Sequence, residues 1–426
     1  MKKDFTYYSD PQRIQKTVKT LASFTEAGRP FTRLVFSPEF KQARQWLELE
    51  FRKAGLDCHV DEGGNLIGLR QAVDDASEQK KVIIGSHIDT VSAGGQFDGV
   101  AGIVAALEVI LFLNQQNISL PFSIEIVDFL GEELNVWGLS CLGSRHMAGL
   151  LTDEMLSRTD QEDRQLGLEI ESIGGKREPP RTPRQDADKI LACLELHIEQ
   201  ADRLETNQTD IGVVTDIPGI SRYAIKVMGR AGHSGTTRMP DRQDALVAAS
   251  EVITTAQDTG IAIAEQDNKH FVATIGRIDV YPNGAATVPG EVNMVLDLRA
   301  SHEHSRDEFL KQLQTRCMLI SKNRSCKIEM ELISNASVAV MDNELRQRLS
   351  HAANSLNLSH IDLSSGAGHD MVHLSRIAPA AMVFIPCKDG LSHCPEELAT
   401  PEAIAKGSAV LARTILALAS DEPYNE

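Results

Sequence analysis

Residues 82–99, VIIGSHIDTVSAGGQFDG, are the most informative segment of this chain. Its apolar start is typical of a short buried strand, and the Gly-rich loop that follows carries His87, Asp89 and Asp98. In open α/β sheets, functional sites form at the carboxyl ends of strands. Histidine and carboxylate side chains are the ligands that hard or borderline metal ions need. The stretch therefore predicts an α/β fold that carries one half of a metal site.

Three other predicted strand ends carry the remaining candidate ligands. Glu132 and Glu133 follow one apolar run, His197 ends another, and His393 lies in a loop after a third. Two histidines with one Asp and one Glu suit a single ion, whereas three histidines with two carboxylates suit two ions bridged by one carboxylate. The residues alone leave both arrangements open.

The distribution of strands and helices predicts a split domain. Strands alternate with helices up to about residue 211 and again after about 332, which is typical of a sheet covered by helices. Between them, residues 212–331 read as four alternating strands and two helices. We therefore expect an α/β fold: a domain with a central mixed sheet, residues 1–211 and 332–426, which carries the candidate ligands and is interrupted by an inserted α+β domain with a four-stranded sheet.

Composition limits the classes of partner and compartment. The chain has 426 residues and a formal net charge of −17, with no basic run, which argues against a nucleic-acid partner. Its seven cysteines are widely spaced and form no C-x-x-C, which indicates a reducing compartment rather than a disulfide framework. The segment 1–10 lacks the apolar core of a signal peptide, and the apolar run 100–113 is too short to span a bilayer. We therefore expect a cytoplasmic protein without membrane contact.

An ordered set of motifs identifies a family resemblance. G-S-H-I-D-T, G-G-x-F-D-G, the Glu pair, L-H-I-E-Q, G-H-S-G-T-T, P-N…V-P-G, D-L-R, G-A-G-H-D and S-H-C-P-E-E follow one another between Gly85 and Glu397, and the resemblance extends from about residue 37 to 415. The chain resembles the di-metal M20-type amidohydrolases. Within them it is similar to the hydantoinase/carbamoylase branch, which contains N-carbamoyl-L-amino-acid hydrolases, β-ureidopropionases and allantoate amidohydrolases.

The resemblance implies two divalent metal ions, zinc or manganese, cobalt or nickel, and a role for each residue near them. It implies that Asp98 bridges the two ions. His87 and His197 would complete the coordination of the first ion, and Glu133 and His393 would complete that of the second. Two further residues would act beside the metals: Asp89 would orient the His87 imidazole, and Glu132 would be the general base.

The resemblance also implies a substrate clamp in the inserted domain. His233 would polarise the scissile carbonyl, and Asn283 and Arg299 would hold the substrate carboxylate, for which an Arg fork is well suited. Gln200 and His369 lie in matching motifs and would contact the substrate or the ligands. The resemblance further implies a homodimer formed through the inserted domain.

These expectations give one function and two alternatives. The first is metal-dependent hydrolysis of the carbamoyl C–N bond of a small ureido acid, converting an N-carbamoyl-L-amino acid to an L-amino acid, ammonia and carbon dioxide. The alternatives are an allantoate amidohydrolase and an aminoacylase or dipeptidase of the same scaffold. The chain departs from the family pattern at residues 134–144, at Ala201 and at Arg238. None of these is an expected metal ligand, so the departures affect the identity of the substrate.

Overall fold

The computed structural model describes residues 9–73, 80–266 and 270–420, so most of the amino-terminal segment considered as a signal peptide lies outside the described residues. The chain forms two compact units. The first comprises the described residues up to Thr215, Val340–Leu363 and those from Ala367 onward. The second comprises Asp216–Ala339 and Ser364–Gly366. Each unit is built around its own apolar core.

A mixed sheet forms the centre of the first unit, which confirms the predicted fold class. In the described residues its eight strands lie in the order Asp57–Val60, Leu66–Arg70, Ser123–Asp128, Lys81–Ser86, Ile190–Ile198, Ala380–Ile385, Ile211–Val214 and His360–Leu363. Four adjacent strands in this order, from Ser123–Asp128 to Ala380–Ile385, run parallel to one another. Their carboxyl ends therefore meet at one edge of the sheet.

Helices pack around this sheet. The α-helices of the unit are Pro11–Ser23, Pro38–Lys53, Val100–Gln115, Leu142–Met147, Asp153–Leu156, Leu166–Ser172, Arg203–Thr206, Asn343–Ser355, Met371–Leu374 and Pro401–Ser420, with 3-10 turns at Ala187–Lys189 and Lys388–Gly390. Ser37 caps the second helix by accepting a hydrogen bond from the Phe40 N–H, as its Ser-Pro start predicts.

The helix Val100–Gln115 is apolar on nearly all sides because it packs between the sheet and other helices. Its one buried acid, Glu108, pairs with Arg13 through two hydrogen bonds of 2.7 and 2.5 Å. Among the described helices, only Pro401–Ser420 is long and apolar enough to cross a membrane. More than half of its most apolar stretch is buried, and its side chains belong to the core of the first unit.

The second unit is an α+β layer structure. Its antiparallel sheet has the strand order Phe271–Tyr281, Glu291–Ala300, Gly219–Met228 and Lys327–Asn335. The helices Ala245–Gln266 and Glu303–Arg324 supply the other half of its core. A short strand pair joins Gly232–His233 to Thr287–Val288, and a 3-10 turn covers Met239–Asp241.

The strands near residues 211 and 332 show where the chain passes between the two units. The expected border at 211 falls at the start of the strand Ile211–Val214, which pairs within the eight-stranded sheet. The expected border at 332 falls inside the strand Lys327–Asn335 of the four-stranded sheet. The short strands Asp216–Ile217 and Ala339–Val340 mark the actual passages between the units. A strand's own sequence pattern does not reveal which sheet it joins, because that depends on its partners.

Candidate metal centre and active site

The predicted ligands of the first unit gather at the shared edge of the parallel strands. His87 follows Lys81–Ser86, His197 is the penultimate residue of the strand Ile190–Ile198, and His393 lies in the loop after Ala380–Ile385. Glu132 and Glu133 come after Ser123–Asp128, the neighbouring strand. The sheet order thus brings together residues that are far apart in the sequence.

One group of possible ligands consists of His87, Asp98 and His197, all buried. Asp98 Oδ1 lies 3.0 Å from His197 Nε2 and 3.6 Å from His87 Nε2. Among the residues that the structure describes, none is a hydrogen-bond partner of the buried Nε2 atom of His87. Two ligands bound to one ion at about 2.1 Å in tetrahedral geometry lie about 3.4 Å apart. The separations in this group are therefore those of ligands around a common ion.

A second group consists of Asp98, Glu133 and His393. His393 Nε2 lies 3.1 Å from Asp98 Oδ2 and 3.3 Å from Glu133 Oε1. The two carboxylates are buried, whereas the His393 side chain is 48% exposed, so this group has a side open to solvent. Asp98 belongs to both groups and turns a different oxygen to each, which is the arrangement of a bridging carboxylate.

The electrostatics of the cluster favour a bound cation. Burial raises the pKa of Glu132 well above its ordinary value, and the charge of Glu133 adds to the effect. Burial and the charge of Asp98 raise the pKa of Glu133 to about 7. Burial opposes ionisation of Asp98 too, but the adjacent imidazoles of His197, His393 and His87 hold its pKa well below the usual range. Crowded buried carboxylates of this kind are stabilised by positive charge, and imidazole with carboxylate suits zinc, manganese, cobalt and nickel.

Asp89 contacts both the first histidine and the Glu pair, through different atoms. Its backbone carbonyl oxygen lies 3.0 Å from His87 Nδ1, within hydrogen-bond distance, whereas its Oδ1 is 3.6 Å from the same nitrogen. Its carboxylate accepts hydrogen bonds of 3.2 Å from the backbone N–H groups of Glu132 and Glu133. Asp89 therefore orients the imidazole through its main chain and fixes the Glu132–Glu133 peptide through its side chain.

Gly99 fits beside this cluster because it has no side chain. Its φ is +65°, in the left-handed region, and a Cβ there would meet the His87 ring at 2.5 Å. Its backbone N–H lies 3.2 Å from His197 Nε2. The glycine thus lets the chain turn into the helix Val100–Gln115 directly against two ligands.

Gln200 and His369, expected near the substrate, contact the ligands. Gln200 Nε2 donates to Asp98 Oδ2 at 2.8 Å. His369 is buried and packs edge-on against His197, with ring centroids 4.6 Å apart. Burial, with His197 beside it, lowers the pKa of His369 well below its ordinary value, so its ring is neutral. Both residues support the first-unit cluster.

Three neighbours of the cluster are not among the site residues predicted from the sequence. Ser392 Oγ lies 3.0 Å from Asp98 Oδ2, and Cys141 Sγ lies 3.7 Å from Glu132 Oε1. Glu397 accepts a hydrogen bond from the Asp98 backbone N–H. The S-H-C-P-E-E motif carries a signal for Ser392 and Glu397, whereas nothing in the sequence marks Cys141.

The remaining expected residues lie in the second unit. His233 is exposed, and its Nδ1 accepts hydrogen bonds from the N–H groups of Gly235 and Thr236 at 3.0 and 3.3 Å. The strand pair between His233 and Thr287 brings the G-H-S-G-T-T loop to the turn that contains the exposed Asn283.

Arg299 lies on the central strand Glu291–Ala300 of the same unit. Its Nε donates to Asp297 Oδ1 at 2.9 Å and its Nη1 to the Gly366 carbonyl at 3.2 Å. Asp297 also accepts a 2.9 Å hydrogen bond from Arg222. The guanidinium of Arg299 is therefore held in one orientation by its own unit.

Two groups of possible metal ligands that share Asp98, at the edge of a mixed α/β sheet, are the arrangement expected of a metal-dependent hydrolase. The family model of peptidase family M20/M25/M40 matches residues 83–417, and the chain belongs to this family. The named relatives are amidohydrolases, so family membership identifies this chain as an enzyme that acts on linear amides. The family resemblance inferred from the motifs is thereby confirmed.

The relatives are named as hydrolases of different ureido acids. An N-carbamoyl-L-amino-acid amidohydrolase of Paenarthrobacter aurescens is 34% identical over 96% of this chain and 98% of that protein. A ureidoglycolate hydrolase of Arabidopsis thaliana is 32% identical, over 97% and 87% respectively, and an allantoate amidohydrolase of Escherichia coli K12 is 32% identical, over 96% and 98%. The crystal structure of a hydantoinase/carbamoylase family amidase from Burkholderia multivorans is 33% identical and has a TM-score of 0.86, covering 97% of this chain and 99% of that one.

Proposed function

We propose that this enzyme hydrolyses N-carbamoyl-L-amino acids to L-amino acids, ammonia and carbon dioxide. The observation that carries the proposal is the pair of ligand groups that share Asp98, with the Glu132 carboxyl 3.7 Å from His87. Zinc, manganese, cobalt or nickel ions held by His87, Asp98, His197, Glu133 and His393 would supply a water of lowered pKa and a polarised carbonyl.

Glu132 is the proposed general base. Its backbone N–H is fixed by Asp89, and its carboxyl is buried next to the ligands. Glu132 takes a proton from the attacking water as the water oxygen bonds to the carbamoyl carbon. It then delivers that proton to the amino-acid nitrogen as the C–N bond breaks. The carbamate that leaves decomposes to ammonia and carbon dioxide, so one water is consumed for each substrate.

We assign the substrate clamp to the second unit. Because His233 Nδ1 accepts backbone hydrogen bonds, the neutral ring carries its proton on Nε2, which suits donation to the scissile carbonyl oxygen. The held guanidinium of Arg299, with Asn283, would bind the substrate carboxylate. We further propose a homodimer through residues 212–331 and a cytoplasmic location. The location is supported by the seven cysteines, all free thiols in the described structure.

The decisive experiment offers purified protein, reconstituted with Mn²⁺, Zn²⁺ or Co²⁺, a broad panel of N-carbamoyl-L-amino acids. We expect ammonia and the free amino acid to appear in equal amounts. Release of no ammonia from any member would contradict the proposal. The Glu132→Gln variant, prepared in the same way, controls for contaminating hydrolases.

Allantoate is the second candidate, favoured by the similarity of the E. coli relative over nearly the whole chain. Ureidoglycolate, the substrate in the name of the Arabidopsis relative, was not anticipated from the sequence and joins the panel for the same reason. N-acyl amino acids and dipeptides complete it. Release of a free amine without ammonia would indicate an aminoacylase or dipeptidase instead.

A further inference from the structure

A buried carboxylate ties together the two loops that carry the second group of ligands. Glu397 is 1% exposed. Its Oε1 accepts hydrogen bonds from the backbone N–H groups of Phe97 at 2.7 Å and Asp98 at 3.0 Å, and its Oε2 lies 2.9 Å from Ser392 Oγ. Glu397 therefore contacts the loop before Asp98 and the residue before His393 at the same time.

The same contacts continue to the shared ligand. Ser392 Oγ lies 3.0 Å from Asp98 Oδ2, and Gln200 Nε2 donates to that oxygen at 2.8 Å and to Ser392 Oγ at 3.2 Å. Asp98 Oδ2 is the oxygen that faces His393. The position of this oxygen thus depends on a network anchored by Glu397.

A glycine makes room for the anchor. A Cβ at Gly95 would overlap the Glu397 carboxyl group, and the φ of Gly95 is not in the left-handed region. An alanine at this position would consequently act on the Glu397 side chain, the flexible end of the contact, rather than on the backbone. Gly95→Ala therefore offers a second way to displace the same carboxylate.

We propose that Glu397 is a positioning residue that keeps Asp98 and His393 at the separation needed to bind the second ion. This inference rests on the proposed two-ion function. The first group depends on Glu397 less, because His87 and His197 are held by main-chain carbonyl oxygens, those of Asp89 and Ile198. Loss of Glu397 should therefore weaken one ion site and spare the other.

The test measures metal binding rather than turnover. Wild-type protein and the variants Glu397→Gln and Gly95→Ala are freed of metal and titrated with Zn²⁺ against a competing chelator, and the metal content is measured after dialysis. We expect two ions per wild-type chain. In both variants we expect one site to weaken about 10–100-fold, as for other residues that orient ligands, and the other to change less than about twofold. Glu396→Gln is the matched control, since Glu396 is adjacent and exposed, and it should retain both sites.

Each alternative outcome has a separate meaning. Equal weakening of both sites, or no weakening in either variant, overturns the role of Glu397. A wild-type chain that binds fewer than two ions rejects the two-ion centre itself and with it this inference. If Glu397→Gln fails to fold, as judged by circular dichroism, Gly95→Ala carries the test. The double variant Glu397→Ala with Gly95→Ala should bind metal no more weakly than Glu397→Ala alone. The reason is that the carboxyl group that a Cβ at position 95 would overlap is absent from both.

Discussion

The carboxylate of Asp89 accepts hydrogen bonds from the backbone N–H groups of Glu132 and its neighbour Glu133, both at 3.2 Å. One side chain therefore fixes the peptide between the proposed base and a proposed ligand. In the Asp89→Asn variant, an amide NH₂ would face one of these donors and leave it unsatisfied in a buried place. We expect kcat to fall about 10–100-fold, with KM changed less. Steady-state kinetics check this, with the exposed Asp153→Asn as the control; unchanged kcat would contradict the role.

Glu132→Gln separates proton transfer from metal binding. The variant keeps the size of the side chain but cannot take a proton, so kcat should fall by at least about 10²–10⁴-fold. Metal content, measured by mass spectrometry, should stay at the wild-type value. Glu133→Gln makes the informative comparison, because loss of a proposed ligand should lower the metal content. A fully active Glu132→Gln enzyme would show that another group is the base.

Removal of metal should abolish activity and lower stability. Because ions bind the folded cluster and not the separated ligands, saturation at 100 times Kd stabilises the fold by about 2.7 kcal/mol per site. A chelator should therefore lower the melting temperature as well as stop turnover, and added Zn²⁺, Mn²⁺ or Co²⁺ should restore both. Full activity after complete removal of metal, verified by elemental analysis, would exclude the proposed chemistry.

Arg299→Lys tests the substrate clamp. Lysine retains the charge but lacks the fork that both holds Asp297 and can bind a carboxylate. We expect KM for the best substrate to rise about 10–100-fold, a loss of about 1.4–2.7 kcal/mol of binding, while metal content remains normal. Arg316→Lys, exposed on the helix Glu303–Arg324, is the control. If the two variants have equal KM values, Arg299 does not bind the substrate carboxylate.

We expect the stability of the fold at acidic pH to depend on a charge network near the amino ends of the parallel strands. Buried Glu125 pairs with Arg184 at 2.9 Å and with Lys81 at 2.6 Å. Burial alone would raise the Glu125 pKa, but these cations lower it below the ordinary value. The contribution of Glu125 to the free energy of unfolding is therefore present above its pKa in the unfolded chain, about 4.3. This contribution is lost as the pH falls through the lower pKa that Glu125 has in the folded protein.

Glu125→Gln should accordingly destabilise the fold by about 1–3 kcal/mol at pH 7, and the difference from wild type should shrink below about pH 4. Urea unfolding at several pH values measures this difference in stability, with a substitution at an exposed residue, Glu171→Gln, as the control. A difference that is independent of pH would show that the ion pairs do not contribute.

Much of the fold was predictable because local signals agree with the tertiary structure. The Ser37-Pro38 start predicts its helix, and alternating apolar residues predict the strands of the second unit. The helix Pro401–Ser420 was not predicted, although its composition is strongly apolar. The sheet that a strand near a unit border joins was not predictable, because strand pairing is not encoded in the strand's own sequence.

The order of the motifs identifies the family, and the residue types at the strand ends define which histidines and carboxylates are available as ligands. How these side chains are used depends on the folded structure. It turned the two oxygens of Asp98 toward different groups, directed the Asp89 carboxylate to the Glu132–Glu133 peptide, and placed Glu397 against a loop three hundred residues earlier. The physical reason is that hydrogen-bond partners are chosen by distance and direction in space, which the order and register of the parallel strands set.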